Sequence, residues 1–170
     1  IKAIKDILKK NKGSILLFSS IAVKTGFMNH TIISTAKAGI EALTVSLAAE
    51  LAPDIRVNCI APSLTETGMT KSLISNDKIK PKYNNCSDDI GEILVGAGTV
   101  LADDPSLTTR MQDSNENIRN AIELLHPIPR IGQPSDHSKL AAFLLNDSSN
   151  WITGQIFNID GGRSNIRRKG

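Results

Sequence analysis

Short apolar segments alternate with helical patterns along most of this chain. Residues 14–19 and 55–60 are apolar runs with the length of buried parallel strands, and residues 151–160 contain a third run. Between the first two runs, residues 31–51 repeat apolar side chains at helical spacing. The predicted inward face of that helix consists of Ile40, Leu43, Leu47 and Leu51. This order of strands and helices predicts an α/β fold with a parallel sheet.

Two further helices and one irregular segment complete the pattern. One helix opens the chain, and another begins at the capping residues Pro134, Ser135 and Asp136. Residues 77–114 are rich in Asn, Asp, Lys and Gly and are far longer than a usual connection. This segment is therefore a functional lid, an inserted element or a disordered region.

The composition of the chain indicates its size class and the kinds of partner that it could bind. A chain of 170 residues can bury one core, which predicts one domain. Much of the net charge of +3 lies in residues 163–170, which we expect to form a basic, solvated tail. Aromatic residues are scarce, so we expect no stacking platform and no nucleic-acid partner.

Cysteine usage and hydropathy indicate a cytoplasmic protein. Cys59 and Cys86 are too few for a disulfide framework or a zinc site, so we expect no metal. No apolar run reads as a membrane span, and no secretory signal opens the chain. We therefore expect no membrane partner.

Two polar side chains are candidates for chemistry at the carboxyl edge of the sheet. Ser20 follows the first predicted strand and Lys37 lies on the next helix, and open α/β folds bind ligands at this edge. A carbonyl or alcohol oxygen there needs a hydrogen-bond donor, a proton donor and a nearby cation. Ser20 can fill the first role and Lys37 the last, whereas spacing alone favours a structural Ser20 and a solvated Lys37.

Four ordered blocks of sequence resemble the short-chain dehydrogenase/reductase family. They are the Ser19-Ser20 strand end, the helix with Lys37, and the segments 56–62 and 151–162. Residues 127–136 are similar to the family's link into its penultimate helix. The resemblance covers about residues 1–76 and 115–162 and implies the C-terminal half of a Rossmann-like, doubly wound parallel sheet.

The resemblance also implies a function and a set of site residues. The family consists of NAD- or NADP-dependent oxidoreductases that act on small carbonyl or alcohol substrates as homodimers or homotetramers. It places Ser20 and Lys37 in catalysis. It places Lys37, Pro62, Ser63 and Thr67 against the cofactor. Ser63 stands where the family's Pro-Gly-x-x-x-Thr loop has glycine.

Two departures from the family pattern favour impaired catalysis. The tyrosine expected thirteen residues after Ser20 is Ile33, which cannot titrate. Ser34 lies about 100° further round the helix and His30 lies a turn earlier, so we expect His30 to be a surface residue. A glycine-rich pyrophosphate loop is also missing, so we expect an inactive C-terminal fragment. The alternative is a non-catalytic subunit that keeps the fold for binding or oligomerisation.

A second resemblance lies within the irregular segment. Residues 93–110 are similar to the pyrimidine reductase domain of riboflavin biosynthesis. That resemblance implies polar roles for Thr99 and Asp103 and gives a third candidate function, which applies only to the segment. We therefore predict that residues 77–114 are a reductase-like fragment inserted into a surface loop, which gives the fold a long loop insertion.

Overall fold

A three-stranded parallel sheet forms the centre of the molecule. The computed structural model describes residues 2–27, 29–68, 70 and 115–166. The strands are β1 (Ser14–Phe18), β2 (Arg56–Pro62) and β3 (Ile156–Ile159), in the spatial order β1-β2-β3. The alternation of strand and helix expected from the sequence is therefore confirmed as an α/β fold with a parallel sheet.

The central strand fixes the register of the sheet. Ser14 of β1 lies opposite Arg56, and Cys59 lies opposite Ile156 of β3. The five inner residues of β2 are buried, and Cys59 is fully inaccessible, as expected for a small core residue. Because both neighbours of β2 run parallel to it, all three strands end at the same edge.

Five helices and two short 3₁₀ turns surround the sheet in the described part of the chain. The helices are α1 (Lys5–Lys10), α2 (Ala22–Thr25), α3 (Thr31–Leu51), α4 (Asn115–Leu124) and α5 (Pro134–Leu145). The 3₁₀ turns are Lys2–Ile4 and Asp147–Ser149. The bounds of α3 are those that the sequence predicts.

The C-terminal half of α3 packs against β2 and closes the main core. Its buried residues are Thr44, Leu47, Ala48 and Leu51, and the last three pack with Ile55 and Val57. The prediction that Leu43 faces inward is wrong, because its side chain is 42% exposed. Thr44 takes the inward place and satisfies its hydroxyl by donating to the Ile40 carbonyl at 2.8 Å.

The turn after β3 extends the folded unit beyond the predicted boundary at residue 162. Asp160 accepts hydrogen bonds from the backbone N–H groups of Gly162 and Ser164, each at 2.9 Å, and from the Ser164 hydroxyl. Arg163 lies within this turn and is half-buried. Arg163 and Ser164 therefore take part in this turn, and the basic tail predicted at 163–170 stays a prediction. The predicted insertion at 77–114, with Thr99 and Asp103, lies outside the described residues.

Candidate functional site

The carboxyl ends of the three strands form one wall of a cavity of about 750 Å³. Five of the six residues singled out from the sequence line this cavity: Ser20, Ile33, Pro62, Ser63 and Thr67. The rest of the lining is mainly apolar and includes side chains from α4 and α5. The structure therefore brings together residues that are up to 47 positions apart in the chain, the separation of Ser20 and Thr67.

Ser20 lies in the turn that leads from β1 into α2. Its Oγ accepts a hydrogen bond from the Ala22 N–H at 3.2 Å, which leaves the hydroxyl hydrogen to donate. The preceding Ser19 is buried and donates to Oε1 of Glu41 at 2.8 Å. The two adjacent serines therefore differ in role: Ser19 anchors α3 to β1, and Ser20 borders the cavity.

Lys37 lies behind the cavity wall rather than in it. Its Nζ donates to the Phe18 carbonyl at 3.0 Å, at the end of β1. Phe18 itself lines the cavity, and Lys37 does not. The ammonium group is thus held beside the strand end, and the roles in catalysis and cofactor binding that the resemblance implies for it stay predictions.

The first turn of α3 presents an isoleucine and a histidine to the cavity. Ile33 and His30 both line it, and His30 is half-buried. His30 is therefore partly exposed, as expected, and it borders the cavity. Its ring lies edge-on to that of Phe27, with 5.2 Å between the centroids. Ser34 donates instead to the Ala22 carbonyl at 3.1 Å, which ties α3 to α2.

Two buried histidines, which sequence reasoning missed, fix the loop after β2. His126 Nε2 lies 2.8 Å from the Ser63 hydroxyl, and its Nδ1 lies 3.0 Å from the Ile122 carbonyl. Because a carbonyl only accepts, Nδ1 carries the hydrogen and Nε2 accepts from Ser63. His137 Nε2 lies 2.7 Å from the Thr65 hydroxyl. The sequence signal for His126 is Ser63 itself, since a hydroxyl in place of glycine needs a partner.

Burial favours the neutral form of both imidazoles. Burial lowers the pKa of His126, and the positive charge of Arg163 lowers it further. Burial also lowers the pKa of His137, although the carboxylate of Asp136 opposes that shift. The loop is therefore held by neutral hydroxyl–imidazole hydrogen bonds.

The residues present fit the nicotinamide end of a dinucleotide. The apolar cavity wall suits a flat ring, and the loop after β2 supplies polar groups at its rim. Thr67 lies at that rim, with its N–H donating to Thr70 Oγ1 at 2.8 Å. Within the residues that the structure describes, no group of three His, Cys, Asp or Glu side chains could hold a metal ion.

Comparison with known proteins establishes the family. The sequence profile of the enoyl-(acyl carrier protein) reductase family, a group of short-chain dehydrogenase/reductases, matches residues 1–88 and 100–164. The chain therefore belongs to the short-chain dehydrogenase/reductase family. Between the two matched segments, residues 89–99 fall outside the profile. The insertion and its resemblance to a pyrimidine reductase stay predictions.

Bacterial oxidoreductases are among the relatives of this chain. It is 32% identical over 160 residues to 3-oxoacyl-(acyl-carrier-protein) reductase FabG of Chlamydia trachomatis, covering 94% of this chain and 48% of the relative. The crystal structure of Cj0485 dehydrogenase superposes with a TM-score of 0.69 at 22% identity, covering 94% of this chain and 49% of that one. ElxO with NADP bound gives a TM-score of 0.63 at 24% identity, covering 95% and 50%.

These comparisons confirm the predicted partial Rossmann-like fold. The chain spans about half the length of the curated relatives it matches.

Proposed function

We propose that this chain is the substrate-facing, C-terminal half of an NAD- or NADP-dependent reductase of a small carbonyl compound. The observation that carries the proposal is the cavity that gathers Ser20, Ile33, Pro62 and Thr67 at the strand ends. A 3-oxoacyl thioester suits its largely apolar wall, and the similarity to FabG of Chlamydia trachomatis supports this choice. The reverse reaction would oxidise the matching alcohol.

Each residue has a defined role in this proposal. The Ser20 hydroxyl donates a hydrogen bond to the substrate carbonyl oxygen and thereby stabilises the charge that develops on it. Pro62, Ser63 and Thr67 border the nicotinamide, and Lys37 supplies a positive charge at the end of β1. The nicotinamide, when bound, supplies the hydride. Ile33 lacks the acidic hydrogen that would complete the reduction, and catalysis is impaired for that reason.

A second candidate is a non-catalytic subunit, and the surface of α3 favours it. The helix exposes 83% of Ile32, 42% of Leu43 and 51% of Val45. A second copy of the chain could cover these side chains in a homodimer or homotetramer. By length and composition α3 could also cross a membrane. Its C-terminal half packs on β2, so we propose a cytoplasmic protein.

Replacing Ile33 with tyrosine tests the proposed function. For this test, the chain is fused to the C-terminal end of the nucleotide-binding half of the chlamydial relative. NADPH oxidation is then measured with acetoacetyl-N-acetylcysteamine as the substrate. We expect Ile33→Tyr to raise turnover, by about 10²- to 10⁴-fold where no other group donates the proton. The phenol would stand on the cavity wall, where the carbonyl oxygen needs an acid.

Ile32→Tyr is the matched control, because position 32 is 83% exposed and lies outside the cavity lining. It should leave turnover unchanged. Equal gains from both variants would contradict the assignment of the cavity. No turnover in any folded variant, together with self-association in sedimentation, would support the non-catalytic subunit instead.

A further inference from the structure

We propose that His126 is a positioning residue, which acts through Ser63 to hold the loop after β2, residues 63–67, in place for the cofactor. The inference rests on the proposed function, because that function puts Ser63 and Thr67 beside the nicotinamide. His126 is not among the described residues that line the cavity of about 750 Å³. Its influence on that cavity therefore passes through the hydroxyl of Ser63, which lies 2.8 Å from its Nε2.

The imidazole of His126 is fixed on the side that faces away from Ser63. The residue is 2% exposed, and its Nδ1 donates to the Ile122 carbonyl at 3.0 Å. Its backbone N–H donates to the Glu123 carbonyl at 3.1 Å, so ring and main chain are both tied to the last turn of α4. Because Nδ1 carries the hydrogen of the neutral ring, Nε2 has a lone pair for one donor, and that donor is the Ser63 hydroxyl.

Ser63 lies between two cavities. It lines the cavity of about 750 Å³ and a second cavity of about 240 Å³, which His126, Arg130 and Asp160 also line. Its backbone N–H donates to the Ile159 carbonyl at 3.1 Å, which ties the main chain of Ser63 to the end of β3. Because its side chain has cavities on two sides, the hydrogen bond to His126 rather than close packing holds that side chain in place.

Three hydrogen bonds within the loop connect Ser63 to Thr67. The Thr65 hydroxyl donates to the Ser63 carbonyl at 3.0 Å. The Thr70 hydroxyl donates to the Thr65 carbonyl at 2.5 Å, and the backbone N–H of Thr67 donates to Thr70 Oγ1 at 2.8 Å. Thr65 and Thr67 both line the cavity of about 750 Å³. A displaced Ser63 would therefore move these two residues with it.

The effect of the Ser63–His126 bond is expected in cofactor affinity. A loop that is already in its binding position does not have to be ordered when the ligand arrives, so the free energy of ordering does not weaken binding. This expectation concerns binding alone and does not depend on the residue at position 33. Cofactor binding can therefore be measured without substrate and without turnover.

The first test uses the chain as it stands and detects the contact directly. The imidazole nitrogen resonances are assigned by NMR with single His→Gln variants. We expect Ser63→Ala to shift the Nε2 resonance of His126, because that variant removes the hydrogen bond. Ser148→Ala, at an exposed position of the second 3₁₀ turn, is the matched control and should leave the resonance in place. An unchanged His126 resonance in Ser63→Ala would overturn the proposal.

The second test measures the dissociation constant of NADPH with the chlamydial fusion, by fluorescence titration. We expect His126→Phe to raise this constant about 10-fold, because phenylalanine keeps a ring but cannot accept the hydrogen bond. His126→Gln should stay within about threefold, because its amide oxygen can accept from Ser63. Lys139→Gln, at an exposed position of α5, is the control. A less stable His126→Phe with unchanged NADPH affinity would show a merely structural role and overturn the proposal.

A double-mutant cycle shows whether His126 acts through Ser63. Ser63→Ala should raise the NADPH dissociation constant about as much as His126→Phe does. The combination of the two should raise it no further, because both variants remove the same hydrogen bond. Independent, additive effects would overturn the proposal. Ser63→Ala removes a single oxygen atom, so it keeps the test decisive where His126→Phe does not fold.

The outcomes separate this proposal from the one on which it rests. NADPH binding that every folded variant of Ser63 and His126 leaves unchanged would overturn the role of His126 and leave the proposed function standing. Absence of NADPH binding in the folded, unmodified fusion would reject both.

Discussion

Arg56 joins the start of β2 to the end of α5. Its guanidinium donates to the Leu144 carbonyl and the Ser149 hydroxyl, each at 2.7 Å, and to the Asn146 carbonyl at 3.0 Å. Asn58 acts two positions later: its Nδ2 donates to the Ile152 carbonyl at 2.9 Å. These bonds fix the segment before β3 and therefore the position of the turn at Asp160, which follows that strand.

Arg56→Met is expected to destabilise the fold by about 2 kcal/mol, because it keeps the apolar stem and removes all three hydrogen bonds that the guanidinium donates. Urea unfolding followed by circular dichroism measures the change. Lys139→Met, at an exposed position of α5, should differ from the unmodified chain by less than about 0.5 kcal/mol. Equal stability of the two variants would show that the three bonds contribute little.

At the scale of elements, α3 divides into two halves with different tasks. Its N-terminal turn carries His30 and Ile33 to the cavity, and its C-terminal half packs on β2. Helical periodicity gives both ends of α3 correctly. Periodicity does not predict the exposure of Leu43, because apolar side chains occur on several sides of this helix. Which of them are buried depends on which side contacts the sheet.

The variants Leu51→Ala and Leu43→Ala test which apolar side chains of α3 are buried against the sheet. Leu51 is 5% exposed in the main core, so its truncation should cost about 2–4 kcal/mol through lost burial and a cavity. Leu43 is 42% exposed, so Leu43→Ala should lower the free energy of unfolding by less than about 1 kcal/mol. Thermal and urea unfolding give both values. A larger cost at Leu43 would indicate that a second copy of the chain covers it in solution.

At the scale of the whole molecule, the two buried histidines couple the loop after β2 to α4 and α5. Each has a pKa below the value of 6.5 that an exposed imidazole shows. Between the folded and unfolded pKa values the unfolded chain binds more protons, so stability rises with pH there. The contribution of the two buried histidines to the free energy of unfolding is fully present above about pH 6.5 and is lost as the pH falls below that value.

The free energy of unfolding is therefore expected to fall between pH 7.5 and pH 5.5, above the range in which carboxylates titrate. Urea midpoints at half-unit steps measure the slope. The double variant His126→Gln/His137→Gln should flatten it, because glutamine keeps a hydrogen-bonding side chain without a titrating group. A slope that the double variant leaves unchanged would assign the pH dependence to other groups.

The sequence by itself determined the α/β class, the bounds of α3 and the family. The class and the bounds of α3 depend on periodicity within single elements, and the family depends on the residues of four ordered blocks, all of which can be read along the chain. The rule that open α/β folds bind ligands at the carboxyl edge of the sheet pointed to Ser20, and the family resemblance pointed to Pro62 and Thr67.

Only the tertiary structure decided how the remaining site residues are arranged. In the structure Lys37 lies behind the cavity wall and His30 lines the cavity. Ser63 is hydrogen-bonded to His126, which lies 63 positions away in the chain. Such contacts depend on how α3, α4 and α5 pack on the sheet, and no local pattern encodes that packing. The physical reason is that a hydroxyl or an imidazole finds its partner through burial in three dimensions, where an unpaired polar group is costly.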